Sequence, residues 1–133
     1  MQEKMQKELF KKYPKIFKMI ESTPQESCMA WGLEVGDGWY WLIDKLCYQI
    51  QRDIDLNNDH HQIIATQVKE KFGGLRFYIE SGSDEQYSFI DFAETLSYFI
   101  CEECGSTEEV FQNKTGWIKT TCKKCKEKEN VGK

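Results

Sequence analysis

Cys101-Glu102-Glu103-Cys104-Gly105, followed further on by Cys122-Lys123-Lys124-Cys125, decides how the C-terminal end of this 133-residue chain folds. Each pair is a C-x-x-C turn, and the 17 residues 105–121 separate the pairs. That spacing is the pattern of a four-thiolate zinc site. A C-x-x-C turn brings two sulfurs within about 4 Å of each other, and two such turns complete a tetrahedron at about 2.3 Å per Zn–S bond. Four protein ligands leave no open position for water or substrate, so one Zn²⁺ held by Cys101, Cys104, Cys122 and Cys125 is expected to be structural. The spacing therefore points to a metal and leaves the activity open.

Working outward, the composition suits one compact domain with an appended ribbon. Aromatic residues make up 14% of the chain, enough for a real core. The first twelve residues are polar and charged, unlike a secretory signal, and no stretch approaches the ~18 apolar residues of a membrane span. The expected location is the cytoplasm (the bacterial host cytosol if the chain is phage-encoded), where thiols stay reduced and paired cysteines bind metal. Cys28 and Cys47 are then expected to be small buried apolar residues. The net charge of −4 is uneven: residues 1–20 carry +4, 21–62 carry −6 and 81–100 carry −4. An acidic whole argues against strong non-specific nucleic-acid binding.

Residues 2–20 show helical spacing in Leu9, Phe10, Tyr13, Ile16, Phe17 and Ile20, with Pro14 ending one helix and opening a second. Residues 21–38 are irregular. A core helix is expected over 39–54, capped by Asp37, with Trp39, Leu42, Ile43, Leu46, Cys47 and Ile50 on its stripe. Ser83 and Gln86 form a capping box that opens a helix over 84–100, whose stripe is Phe89, Phe92, Leu96 and Phe99.

Between these helices, Ile63–Phe72 and Leu75–Glu80 are strands joined at Gly73-Gly74, a hairpin signal. A two-residue turn there pairs Phe72 with Leu75, Lys71 with Arg76, Glu70 with Phe77 and Lys69 with Tyr78. Alternation then collects Lys69, Lys71, Arg76 and Tyr78 on one face. Three cations beside a tyrosine suit a phosphate with a stacked base. They equally suit a solvated sheet face neutralised by acidic loops. Trp39 and Trp41 are the further stacking candidates. Backbone N–H groups around Gly36-Asp37-Gly38 could receive a phosphate or carboxylate. Trp117 is expected to buttress the zinc site. His60-His61 is a weak metal candidate, and no nucleophile-elbow, zinc-protease, Walker or dinucleotide fingerprint occurs. The reading is therefore non-enzymatic.

Three segments together carry a resemblance. They are Ser27-Cys28-Met29-Ala30-Trp31-Gly32 with Gly36-Asp37-Gly38-Trp39, then Val68-Lys69-Glu70-Lys71-Phe72-Gly73-Gly74-Leu75-Arg76-Phe77-Tyr78, then the C-x-x-C-G and Gly-Trp-Ile-Lys-Thr-x-Cys ribbon. The combination resembles a family of small proteins from phages, prophages and bacteria. The resemblance implies a phage-linked setting, in which small acidic proteins block host defences by sequestering signalling nucleotides or docking on defence proteins.

The expected fold is α+β: a helical N-terminal half, a small antiparallel sheet built on the 63–80 hairpin, a packed helix over 84–100 and a four-cysteine zinc ribbon. The core would span 1–100, the ribbon 101–126 and a disordered tail 127–133. Three functions are expected in order. The first is a binder of a small anionic, nucleotide-type ligand through Lys69, Lys71, Arg76, Tyr78, Trp39 and Trp41. The second is a nucleic-acid regulator using the ribbon lysines. The third is a module that inhibits a host protein. The oligomeric state is left open.

Overall fold

The central element is helix α2, because its apolar residues recur often enough to face partners on more than one side. The computed structural model describes residues 1–131. Its helices are α1 (Glu3–Lys12), α2 (Tyr40–Leu56), α3 (Asp84–Ser97) and α4 (Lys123–Val131). Its strands are β1 (Leu33–Glu34), β2 (Ala65–Lys71), β3 (Gly74–Ile79), β4 (Val110–Gln112) and β5 (Thr120–Cys122). The architecture is α+β, with one three-stranded and one two-stranded sheet. Among the described residues no helix is long and apolar enough to cross a membrane.

Helix α2 buries Leu42, Ile43, Leu46, Cys47 and Ile50 against Leu9, Ile16, Phe17, Val68, Leu75 and Phe77. The expected second N-terminal helix does not form. Helix α1 stops at Lys12, Tyr13 takes a non-helical conformation ahead of Pro14, and only a 3-10 turn follows at Lys18–Glu21. A residue before proline is pushed out of the helical region, which is why the run breaks there.

The three-stranded sheet has the order β1-β2-β3. Strands β2 and β3 form the expected antiparallel hairpin, while β1 adds a short parallel strand through Leu33↔Val68 and Glu34↔Lys69. Two residues are too few to show a period of two in sequence. The hairpin turn is Phe72-Gly73, with φ of +53° and +82°, so Lys71 pairs with Gly74 and Lys69 with Arg76. The expected pairing of Lys71 with Arg76 is thus corrected by a slip of two. Because two is the side-chain period, the same residues still share each face. Glu70 accepts from the Gly73 N–H at 2.8 Å and holds this tight turn closed.

Helix α3 begins with the expected capping box, Ser83 with Gln86. Its buried side is Gln86, Ile90, Ala93 and Ser97, whereas Phe92 and Phe99 of the expected apolar stripe are 64% and 63% exposed. Ser97 explains the rotation. Its hydroxyl accepts from the Leu75 N–H at 2.9 Å, so α3 closes the free edge of β3 with a polar group. The residues 127–131 expected to lack order continue α4 instead. Lys and Glu favour helix, and Lys126 meets Glu129 one turn on at 3.7 Å. Residues 132–133 lie outside the described residues.

Candidate metal centre and adjoining cleft

The two cysteine turns are presented by different devices. Cys101 follows α3 directly, and Gly105, at φ +81°, closes the first turn as its N–H donates to the Cys101 carbonyl at 2.9 Å. Cys122 ends β5, and Cys125 sits in the first turn of α4. The four sulfurs lie within 4.8 Å of one another. Cys104 Sγ and Cys122 Sγ are 3.7 Å apart. A tetrahedron with 2.3 Å metal–sulfur bonds has an edge of about 3.8 Å, so the thiols present fit one metal ion. Cys101, Cys122 and Cys125 are buried and Cys104 is exposed.

The charges point the same way. The Cys125 N–H aimed at the Cys122 sulfur pulls that thiol down to about 7, aided by the neighbouring sulfurs. Burial drives Cys125 well up. Cys104 also lies above its ordinary value: the Ser106 N–H pulls it down, but burial and the Cys101 and Cys122 thiols outweigh that. One thiol is thus poised to ionise, and a bound cation would supply the charge that lets the others follow.

The ribbon is fixed to the core by directional bonds. Gly38 N–H donates to the Glu102 carbonyl at 2.7 Å, and Trp39 Nε1 donates to the Ile100 carbonyl at 2.9 Å. A Cβ on Gly38 would lie 2.1 Å from the Cys101 carbonyl oxygen. The N–H of Gly36, a candidate to receive an external anion, instead donates to the Glu102 carboxylate at 2.9 Å. Burial pushes that carboxyl up against the pull of the Gly36 N–H. At the other end Thr120, fully buried, donates its hydroxyl to the Gly73 carbonyl at 2.6 Å and accepts from Gln112 Nε2 at 3.0 Å.

This last seam shapes a cleft of about 390 Å³ between the hairpin and the ribbon. Its walls are Lys69, Glu70, Lys71 and Phe72 on one side and Gly116, Trp117 and Ile118 on the other. Lys71 Nζ lies 5.7 Å from the Phe72 ring centre. Trp117, expected to buttress the metal, is 77% exposed, and Val110 packs on the cysteines instead.

The six expected ligand residues are not gathered in one place. Lys69 and Lys71 line the cleft. Arg76 is drawn away: its Nη1 meets Glu94 Oε1 at 2.8 Å and donates to the Leu75 carbonyl at 3.1 Å. Burial alone would lower the Arg76 guanidinium, but Tyr98 and Glu94 hold it above its usual value. Tyr78 lines a separate depression with Cys28, Thr66 and Glu80. Trp39 has no exposed surface, which removes it as a stacking residue. Trp41 lies in a groove between α2 and α3. Sequence reasoning missed Phe72 because it sits in the turn at positive φ, where a bulky residue is rare.

Cys47 is buried as expected, but Cys28 is exposed. His60 makes no metal cluster with His61, and its Nδ1 lies 2.7 Å from Asp53 Oδ2. No protein-family model, curated protein or solved structure matches this chain. The fold and site therefore define a class only: a small α+β protein with a four-cysteine cluster able to hold a metal ion.

Proposed function

We propose that this chain is a non-enzymatic binding protein in which a structural zinc ion builds one wall of a site for a small anionic ligand of the nucleotide type. The observation that carries the reading is the cleft itself. It sets two ammonium groups, Lys69 and Lys71, beside two exposed aromatic rings, Phe72 and Trp117. Ammoniums hold phosphate, and exposed rings stack on a base at about 1–3 kcal/mol each. Glu70 also borders the cleft, but its carboxylate is engaged by the turn. Zinc is the reading for the metal because four thiolates at tetrahedral spacing suit it and leave no catalytic position. The resemblance to phage and prophage proteins would make such a binder a sponge for a signalling nucleotide.

Titration of the zinc-loaded protein with a panel of mono-, di- and cyclic nucleotides tests this, followed by quenching of tryptophan fluorescence. Saturable quenching by one member, lost in Trp117→Ala and weakened about tenfold or more in Lys69→Ala/Lys71→Ala, is expected. Arg76→Ala should leave affinity nearly unchanged, because Glu94 already holds that side chain. Absence of saturable binding across the panel would defeat the reading. Binding only to long nucleic acid, with steep salt dependence, would transfer it to a ribbon regulator.

A further inference from the structure

The four sulfurs of the metal centre are not equally protected. Cys101, Cys122 and Cys125 are 0%, 3% and 6% exposed, whereas Cys104 opens to solvent. Its sulfur also lies 3.7 Å from the sulfur of Cys122. Exposure decides which sulfur an oxidant reaches first, and a second sulfur within reach resolves the product as a disulfide. Cys104 has both features, and Cys122 is the resolving partner on the buried side.

The ribbon has little besides the cysteines to keep it folded. Among the described residues, its buried cluster is Cys101, Cys122 and Cys125 with Val110 packed on them. Strands β4 and β5 pair over three residues each. A two-stranded sheet of that size is marginal by itself, so metal binding supplies the folding free energy of the unit. Residues 116–118, which wall the cleft, lie in the loop between β4 and β5. Losing the metal therefore removes that wall.

We propose that Cys104 is an oxidative modification site, and that its reaction with hydrogen peroxide joins it to Cys122, releases the metal and unfolds the ribbon wall of the cleft. The Cys104 thiolate attacks the peroxide O–O bond and keeps one oxygen as a sulfenic acid. The other oxygen takes up a proton and leaves as water. The Cys122 thiolate then attacks the Cys104 sulfur. An S–S bond forms, the S–O bond breaks, and the oxygen leaves with a second proton as water. In sum two thiolates lose two electrons, two protons are consumed and one peroxide becomes two waters. Cys101 and Cys125 alone are too few to close a four-ligand site. A dithiol reductant with added Zn²⁺ reverses the change. The proposal does not depend on what the cleft binds.

Adding hydrogen peroxide in limiting amounts to the full, zinc-loaded chain tests it, with released zinc read by a chromogenic chelator and the cysteines mapped by tryptic mass spectrometry. Trypsin places Cys101 and Cys104 on peptide 77–114 and Cys122 on peptide 120–123. The expected product is one disulfide between these peptides, assigned to Cys104 by fragmentation, with one zinc released for each. Trypsin should cut the oxidised chain after Lys119 about tenfold or more faster, because the ribbon opens. Dithiothreitol with Zn²⁺ should restore the original rate. Cys28→Ser should release zinc as the wild type does, since Cys28 lies in the separate depression with Tyr78. Cys104→His keeps a nitrogen ligand without the oxidisable sulfur, and should release zinc about tenfold or more slowly. If that variant loads no zinc, the wild-type map decides alone. Oxidation that begins at Cys101 or Cys125, a disulfide that excludes Cys104, or zinc that stays bound after Cys104 is oxidised would each overturn the proposal.

Discussion

Replacing Thr120 with valine should detach the hairpin turn from the metal ribbon without changing the shape of the residue. Valine keeps the β-branch that suits strand β5 and removes only the hydroxyl. That hydroxyl is fully buried, donates to the Gly73 carbonyl at 2.6 Å and accepts from Gln112 Nε2 at 3.0 Å. Gln112 keeps its bond to the Tyr98 carbonyl at 2.9 Å, so the main loss falls on Gly73. A typical bond contributes about 1 kcal/mol net, and a buried carbonyl left unpaired costs a further 1–3 kcal/mol or so. The expected destabilisation is about 2–4 kcal/mol. For a chain of this length that corresponds to a fall in Tm of about 6–16 °C. Urea unfolding of the metal-loaded protein, with the m-value compared between variants, gives the number directly. The same variant should weaken ligand binding in the cleft, because the Phe72 and Trp117 walls meet at this seam. A loss below about 0.5 kcal/mol, within the range of ordinary surface substitutions, would refute the claim that Thr120 joins the two units.

Other perturbations probe the same account. Gly38→Ala places a methyl 2.1 Å from the Cys101 carbonyl and 2.6 Å from the Gly105 nitrogen, both backbone atoms. It should cost about 3 kcal/mol and weaken metal retention in a chelator competition. Gly116→Ala, with nothing within 4 Å, should pay only the φ +76° penalty of about 1–2 kcal/mol. Burial tends to raise the buried Asp44 carboxyl, but hydrogen bonds from Tyr13 and Lys12 hold it below its ordinary 3.8. Its folded value is the depressed one, so its contribution is complete above the unfolded value and is lost as pH falls through the folded value. Asp44→Asn should therefore flatten the decline in stability below about pH 4, as read by urea midpoints.

How much of this was legible in the sequence depended on whether the signal was local. The cysteine spacing specified the sulfur cluster because a C-x-x-C turn fixes its own geometry, and Ser83 with Gln86 fixed the start of α3 for the same reason. The stripe of α2 was readable from Leu42 to Ile50, since burial on several sides leaves a broad apolar pattern. The orientation of α3 was not readable, because a single backbone group, Leu75 N–H, recruits Ser97 and turns the phenylalanines outward. The hairpin register was missed by two residues, since Phe72 takes a conformation that glycine would be expected to fill. The face shared by Lys69, Lys71, Arg76 and Tyr78 survived that error. What separates those four side chains is long-range: Glu94 claims Arg76, and the ribbon loop covers only the Lys69–Lys71 end.

The most direct test of the central claim is native mass spectrometry of the purified full chain, with and without added nucleotides. The account predicts one zinc per chain, lost in Cys122→Ser, and one nucleotide adduct per chain. The adduct should disappear in Lys69→Ala/Lys71→Ala while the zinc stays. A chain that carries no metal would contradict the structural role of the cysteine cluster. A zinc-loaded chain that retains no nucleotide would contradict the cleft as an anion site.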